Sequence, residues 1–143
     1  MYLGNYIENI SKKYHKINFS GLAYNSKQVK KNNIFFALEG NKFDGNTYID
    51  DAINRGAKVI ISNKNFKINK KNLIFIKNKN PRKLLAEISY KMLIERPENL
   101  VAVTGTNGKS SVSDFYYQIL NLNKKKSASI GTIGIQFNNK KNW

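Results

Sequence analysis

Short apolar runs alternate with polar turns through the first half of this sequence. Three of these runs are rich in β-branched and aromatic residues, as buried strands are, and they span Ile34 to Leu38, Ala57 to Ser62 and Asn72 to Ile76. Between the first two runs, apolar residues recur at helical spacing from Tyr48 to Ile53, and Gly56 stands where that helix would end. The pattern predicts alternating strands and helices in a small α/β domain.

Two later segments carry apolar residues at the spacing of amphipathic helices. The first opens with Pro81 and stops before Pro97, positions at which proline favours a helix start and a helix end. Its apolar face comprises Leu84, Leu85, Ile88 and Met92. The second helix follows Gly108, and its apolar face comprises Val112, Phe115, Tyr116, Ile119 and Leu120.

Between the two predicted helices, Leu100 to Val103 form a compact β-branched run that predicts a strand. A new sheet that begins here indicates a domain boundary in the preceding helix. We therefore expect a first domain over residues 1–80, a connecting helix over residues 81–98 and the beginning of a second domain over residues 99–143.

The amino-acid composition limits the classes of binding partner that we expect for this protein. The formal net charge is +16, but only Arg55, Arg82 and Arg96 among the 25 basic residues are arginine, whereas specific nucleic-acid recognition depends on bidentate arginine contacts. The basic runs also lie in predicted loops and not along one helical face. We expect no nucleic-acid partner, although the positive field would favour phosphorylated small molecules.

The sequence contains no cysteine, which excludes disulfides and thiolate chemistry. Residues 1–16 lack the continuous apolar segment of a signal peptide, and no run approaches the roughly 20 apolar residues that span a bilayer. His15 lies between Lys13 and Lys16 in a polar stretch and is predicted to be a surface residue. We expect a cytoplasmic protein with no membrane partner.

The segment after Val103 has the sequence TGTNGKSS and joins the predicted strand to the following helix. Its glycines permit positive backbone torsions and the close approach that a loop around phosphate requires. Free amides at the helix start would face the anion, with Lys109 reaching the β and γ phosphates and Ser110 offering its hydroxyl to Mg²⁺. We predict Lys109 as the catalytic residue, Ser110 as the metal ligand, and an ATP site comprising Gly105, Thr106, Asn107, Gly108, Lys109, Ser110 and Ser111.

The spacing departs from the common phosphate-binding loop, G-x-x-x-x-G-K-[ST], because Val103 occupies the place of its first glycine. A tight turn with a solvent-facing lysine is therefore the alternative. A strand predicted before the loop and a helix predicted after it favour nucleotide binding, since the motif needs that context.

The loop resembles the ATP-binding loop of the Mur ligases, which carries the shorter version G-T-N-G-K-[ST]. Tyr24 to Ile61 resembles the N-terminal uridine-nucleotide-binding domain of the members that add the third residue of the peptidoglycan stem peptide, the UDP-N-acetylmuramoyl-tripeptide synthetases of the MurE type. Asn80 to Leu93 is similar to their helix leading into the ATPase domain, and Gly131 to Ile135 is similar to the second strand of that domain.

The resemblance implies an ATP-dependent carboxylate–amine ligase with Mg²⁺ as cofactor. Its substrates would be UDP-N-acetylmuramoyl-L-alanyl-D-glutamate, ATP and an amino acid, either meso-diaminopimelate or L-lysine. ATP would phosphorylate the terminal carboxylate, and the incoming amine would displace phosphate to form an amide. The implied fold is a small α/β uridine-nucleotide-binding domain followed by the start of a P-loop ATPase domain.

The resemblance also implies a uridine-nucleotide site on two loops of the first domain. The side chains that the family pattern places there are Tyr24, Ser26, Asn41, Lys42 and Phe43. Where the family usually has Leu-Asp-Ser-Arg, this chain has Asn25 in place of the acidic group and Lys27 in place of the bidentate one. For Asp44 and Gly45, which follow the second loop, a simple turn is the alternative.

The sequence lacks counterparts of the family's acidic magnesium ligands, its modified lysine and its C-terminal domain. We therefore expect a truncated piece that is inactive alone and whose unburied helix face favours self-association, whereas the full enzyme would be monomeric. The alternatives are the MurF-like ligase that adds the terminal dipeptide, a folylpolyglutamate or cyanophycin synthetase, and a basic non-catalytic binding module. The synthetases would share the ATP loop but not the segment from Tyr24 to Ile61.

Overall fold

A computed structural model of the chain describes residues 1–41, 43–66 and 73–137, and the backbone of residues 140–142. The chain divides into two compact units, Met1–Glu95 and Arg96–Trp143. The elements of the first unit are β1 (Leu22–Ala23), β2 (Ile34–Ala37), α1 (Ile49–Asn54), β3 (Val59–Ser62), β4 (Ile74–Lys77) and α2 (Pro81–Met92), with short 3₁₀ helices at Leu3–Asn5, Lys12–Tyr14, Ser26–Gln28 and Gly45–Tyr48. Those of the second unit are α3 (Lys109–Leu122), β5 (Ala128–Gly131), β6 (Gly134–Phe137) and β7 (Lys140–Asn142).

The strands of the first unit form a parallel sheet in the order β1-β2-β3-β4. Alternate side chains of β2 point to opposite faces, so Ile34 and Phe36 lie on one face while Phe35 lies on the other, and all three are fully buried. A parallel sheet covered on both faces needs strands that are apolar throughout. This requirement explains the uninterrupted apolar run that predicted β2.

A separate cluster of buried side chains covers each face of the sheet. On one face, the N-terminal segment and α2 pack over the strands, and the buried members are Leu3, Ile7, Phe19, Ile34, Phe36, Val59, Ile61, Ile74, Leu84 and Ile88. On the other face, α1 packs over them, and the buried members are Ala23, Val29, Phe35, Ala37, Ile49, Ala52, Ala57 and Ile60. The helix expected to connect two domains thus packs into the first unit, because its apolar face lies on the sheet.

The helices predicted from apolar spacing are confirmed. α1 ends at Asn54, and Gly56 follows with a φ of +103°, which suits the end of a helix. α2 begins at Pro81 as expected, and α3 covers the segment after Gly108. Among the described helices, none combines the length and the apolar character that crossing a bilayer requires.

Two strand predictions in the second unit were wrong. Leu100 to Val103 lie outside any strand and are exposed, because the described residues provide no neighbouring strand with which they pair. Gly131 to Ile135 do not form one strand: Gly131 ends β5 and Gly134 begins β6, and the two strands pair as an antiparallel hairpin. Gly134 has a φ of +98°, a torsion that suits a tight turn better than an extended strand. In the first unit, Asn72 of the third predicted strand lies outside the described residues.

Candidate functional site

Two exposed aromatic rings lie at the carboxyl edge of the parallel sheet. Tyr24 follows β1 directly and is 65% exposed, and Phe43 lies in the turn after β2 and is 71% exposed. Neighbouring parallel strands end at the same edge of a sheet, and open α/β sheets bind ligands there. The edge therefore offers two rings that suit stacking against a planar group.

The turn after β2 doubles the chain back tightly. Glu39 and Asp44 form an antiparallel bridge, and Gly45 N–H donates to the Leu38 carbonyl at 2.9 Å. A Cβ at position 45 would lie 2.6 Å from both the backbone nitrogen and the backbone oxygen of Leu38. Glycine is thus required here by close backbone approach. Of the other predicted ligands, Asn41 is exposed in this turn, and Lys42 lies outside the described residues.

Asp44 anchors the turn electrostatically. Its carboxylate accepts from Lys64 Nζ at 2.7 Å and from the Asn46 backbone N–H at 2.9 Å. The Lys64 hydrogen bond, followed by the Asn46 backbone hydrogen bond, lowers the pKa of Asp44 to about 2. The carboxylate therefore stays ionised and holds the 3₁₀ turn Gly45–Tyr48 against the loop that follows β3. These contacts agree with the alternative interpretation from the sequence, in which Asp44 and Gly45 form a simple turn.

Ser26 is buried, unlike its neighbour Tyr24. A hydrogen bond from its hydroxyl is the largest cause of the lowered pKa of Asp51, with Arg55 contributing further. Asn25, which stands in place of the family's acidic residue, accepts from Lys27 N–H at 3.0 Å and so caps the short helix Ser26–Gln28. The Ser26 side chain thus fastens the loop to α1, and Tyr24 is the predicted ligand that this loop presents to solvent.

Sequence reasoning missed a cleft at the start of α2. The cleft has a volume of about 280 Å³ and is lined by Leu38, Glu39, Asn63, Lys79, Asn80, Pro81 and Arg82. Arg82 donates to the Glu39 carbonyl at 3.2 Å, which joins α2 to the turn after β2. Lys79 and Arg82 outnumber the acidic lining residue Glu39, so the lining carries a net positive charge. The lining residues come from three separate segments of the chain, so no local sequence pattern predicts the cleft.

In the second unit, a glycine-rich loop leads into α3. Gly105 has a φ of +145°, and Gly108, the N-cap residue of α3, has a φ of +77°. A Cβ at position 108 would meet no atom within 4 Å. Backbone conformation, and not lack of space, is therefore what demands glycine at this position.

Several hydrogen-bond donors lie close together at the start of α3. The first helical bond runs from Val112 N–H to the Gly108 carbonyl at 2.9 Å, so the amides of residues 109–111 have no acceptor inside the helix. Lys109 Nζ donates to the carbonyls of Gly105 at 2.5 Å and Thr106 at 3.1 Å. These two hydrogen bonds hold the ammonium group at the loop, whose residues are exposed.

Two hydroxyl pairs join α3 to the hairpin of β5 and β6. Ser110 Oγ lies 3.0 Å from Thr132 Oγ1, and Ser113 Oγ lies 2.8 Å from Ser129 Oγ. The described part of the chain holds no group of three or more His, Asp or Glu residues able to bind a metal by themselves. Magnesium commonly uses one or two protein oxygens together with substrate phosphates. One hydroxyl at Ser110 therefore fits a magnesium ion that is carried by a nucleotide.

The parallel sheet of the first unit and the glycine-rich loop that opens α3 define an α/β protein of the kind in which sheet edges and helix starts commonly bind nucleotides. The chain belongs to the Mur ligase family, since the family model described as "Mur ligase family, catalytic domain" matches residues 18–92. The predicted family and the predicted α/β fold class are both confirmed.

A curated relative supports this assignment, and solved structures share the fold. The chain is 42% identical over 131 residues to the UDP-N-acetylmuramoyl-L-alanyl-D-glutamate--2,6-diaminopimelate ligase of Rickettsia conorii, covering 90% of this chain and 26% of that protein. A solved structure of a ligase with the same name matches with a TM-score of 0.69 at 22% identity, covering 92% of this chain and 27% of the other. The MurF ligase of Thermotoga maritima in complex with ADP matches with a TM-score of 0.58 at 29% identity, covering 74% and 24%. This chain spans about a quarter of the length of these relatives.

Proposed function

We propose that this chain supplies the uridine-nucleotide-binding domain and the ATP loop of a cytoplasmic, ATP-dependent ligase in peptidoglycan synthesis. The reaction would add the third amino acid to UDP-N-acetylmuramoyl-L-alanyl-D-glutamate. The Rickettsia relative supports this reaction, because it matches at 42% identity over 90% of the chain and is named as a UDP-N-acetylmuramoyl-L-alanyl-D-glutamate--2,6-diaminopimelate ligase. The name of that relative favours diaminopimelate over L-lysine as the incoming amino acid.

The chemistry begins with a carboxylate, which is a poor electrophile until one of its oxygens becomes a leaving group. The γ-phosphoryl group of ATP would pass to an oxygen of the terminal carboxylate, giving ADP and an acyl phosphate. The amine of the incoming amino acid would then form the C–N bond as the C–O bond to phosphate breaks, and the amine would lose a proton. Phosphoryl transfer of this kind depends on positioning and on neutralising charge.

The residues of the ATP loop match that requirement. Lys109 would exchange the carbonyls of Gly105 and Thr106 for phosphate oxygens and so place a positive charge beside the transferred group. The unpaired amides of residues 109–111 would bind the same phosphates. Ser110 would hold the magnesium ion, which when bound with ATP neutralises charge on the β and γ phosphates.

On the first unit, the exposed rings of Tyr24 and Phe43 would receive the uridine end of the other substrate. Asn41 and Lys42, which the family pattern assigns to the same site, are proposed as further ligands. Ser26 would contribute by holding the first loop in place through Asp51. The positive cleft with Lys79 and Arg82 lies on the same sheet edge, and its charge is favourable for a nucleotide diphosphate.

The proposal rests on three features that lie together at the start of α3. They are two glycines with positive φ values, backbone amides that have no acceptor inside the helix, and the Lys109 ammonium group. The test is calorimetric titration of ATP with Mg²⁺ into the 143-residue chain. Lys109→Ala should weaken binding about tenfold or more, since charge-assisted hydrogen bonds are lost. The control is Lys125→Ala, an exposed lysine beyond the end of α3. Unchanged ATP affinity in Lys109→Ala, with an unchanged circular dichroism spectrum, would refute the ATP site.

A further inference from the structure

Thr132 is brought to the ATP loop by the hairpin of β5 and β6. Its Oγ1 lies 3.0 Å from Ser110 Oγ across a sequence separation of 22 residues. We propose that Thr132 is a positioning residue that orients the Ser110 hydroxyl toward a nucleotide-bound magnesium ion. This inference rests on the proposed function, since it concerns the ion that accompanies ATP.

The hairpin turn holds Thr132 in a defined place. Gly131 and Gly134 pair across the end of the hairpin, so Thr132 and Ile133 form a two-residue turn. A tight turn between paired strands leaves little freedom in the backbone that carries the Thr132 side chain. The second hydroxyl pair, Ser113 with Ser129, lies one helical turn farther along α3 and fixes the hairpin against the same helix face.

The Ser110 hydroxyl needs an acceptor when it binds a cation. A serine hydroxyl has one proton and two lone pairs, and a lone pair must face the metal, so the proton must point elsewhere. Thr132 Oγ1 lies at hydrogen-bond distance and can accept this proton. Once Ser110 donates to it, the hydroxyl is held with its lone pairs turned away from the hairpin, and less rotational freedom is lost on metal binding.

The two hydroxyl pairs provide a matched comparison. Both pairs join α3 to the hairpin at similar distances, 3.0 Å for Ser110 with Thr132 and 2.8 Å for Ser113 with Ser129. Only the first pair includes the predicted metal ligand. Loss of the second pair therefore reports what weaker docking of the hairpin does by itself.

The experiment measures ATP affinity of the 143-residue chain twice, with excess Mg²⁺ and with EDTA. Thr132→Val keeps the branched shape but removes the acceptor, and it should weaken binding of magnesium ATP about three- to tenfold, as expected for one hydrogen bond. Affinity without Mg²⁺ should change by less than about twofold, since no contact with the nucleotide itself is lost. Thr132→Ser should restore the wild-type values, and Ser129→Ala should leave both affinities near wild type.

A double-mutant cycle sharpens the test. If Thr132 acts through Ser110, the double variant Ser110→Ala with Thr132→Val should bind magnesium ATP no more weakly than Ser110→Ala alone. Binding of Mn²⁺ with ADP, followed by electron paramagnetic resonance, should show the same weakening in Thr132→Val as magnesium ATP does.

The experiment distinguishes failure of the positioning role from failure of the proposed ATP site. If wild-type chain binds magnesium ATP and Thr132→Val binds it equally well, or loses affinity equally with and without Mg²⁺, the positioning role is refuted while the ATP site stands. If the folded wild-type chain binds no ATP, the proposed function fails, and this inference fails with it.

Discussion

Lys64 Nζ lies 2.7 Å from Asp44 Oδ2, and this ion pair joins the loop after β3 to the turn after β2. A second link lies beside it, where the buried Ser62 hydroxyl donates to Asn46 Oδ1 at 2.5 Å. Polar contacts therefore hold the sheet edge that presents Phe43, whose own ring is exposed and adds little to packing.

The first unit should lose stability when Asp44 is protonated. Its pKa lies at about 2 in the folded chain, below the ordinary value of 3.8. Because the folded-state pKa is depressed, the stabilisation is complete above a pH of about 4 and is lost as the pH falls toward about 2. Urea unfolding monitored by amide signals of β3 should show this loss in wild type. Asp44→Asn should be less stable at neutral pH and should lose less between those two pH values; equal losses would contradict the role of Asp44.

Gly45→Ala should destabilise the first unit by about 1–3 kcal/mol, the usual effect of forcing atoms into a packed site. The added Cβ would meet the backbone of Leu38 at 2.6 Å, and backbone atoms cannot move aside cheaply. Gly21→Ala is the matched control, because its Cβ would approach the Asn33 side chain only to 3.6 Å. Urea unfolding measures both, and similar free energies of unfolding for the two variants would contradict the steric explanation.

Substitution of two phenylalanines should distinguish a side chain that stabilises the fold from one that binds ligand. Phe36 is fully buried on the sheet, so Phe36→Ala should lower the free energy of unfolding by about 3–5 kcal/mol. Phe43 is 71% exposed, so Phe43→Ala should change it by less than about 0.5 kcal/mol. Calorimetric titration with UDP-N-acetylmuramoyl-dipeptide should show weaker binding by Phe43→Ala. Wild-type affinity in that variant would remove the ring from the proposed uridine site.

Ser26→Ala should raise the pKa of Asp51, because the Ser26 hydroxyl is the largest cause of its lowered value. Nuclear magnetic resonance titration of the Asp51 carboxyl carbon measures this. Arg55→Gln, which removes a hydrogen bond and a positive charge that also lower this pKa, should raise it as well. With the first loop loosened, Ser26→Ala should also weaken binding of the UDP-linked substrate while ATP binding is retained. Equal loss of both ligands would indicate misfolding.

The 143-residue chain should self-associate through α3. Its exposed apolar side chains are Val112, Phe115, Tyr116, Ile119 and Leu122. The net charge of +16 opposes association, so raising the salt concentration should strengthen it by screening. Sedimentation velocity should show larger species at high salt, and Ile119→Lys should reduce them more than Gln118→Lys, which adds the same charge at an exposed polar position. Monomers at every concentration and salt level would contradict this expectation.

Much of the fold of the first unit could be predicted from the sequence, because its strands and helices are indicated by patterns of neighbouring residues. The uninterrupted run at β2 reports burial on both faces of a parallel sheet, and the helical spacing before Gly56 reports one buried side of α1. Gly105 and Gly108, in the loop before α3, likewise have the positive φ values that their sequence context indicated. Family membership was also readable from the GTNGK sequence and the segment around Tyr24.

Tertiary structure decided what depends on distant partners. Leu100 to Val103 have the composition of a strand but form none, since a strand is stabilised by hydrogen bonds to a neighbour, which composition cannot supply. Ser26 is a buried anchor because Asp51 of α1 lies against it. The contact of Ser110 with Thr132 likewise exists only because a hairpin returns to α3. Torsional preference and apolar spacing act over a few residues and are written in the sequence, whereas side-chain partners 20 or more residues apart are selected by packing.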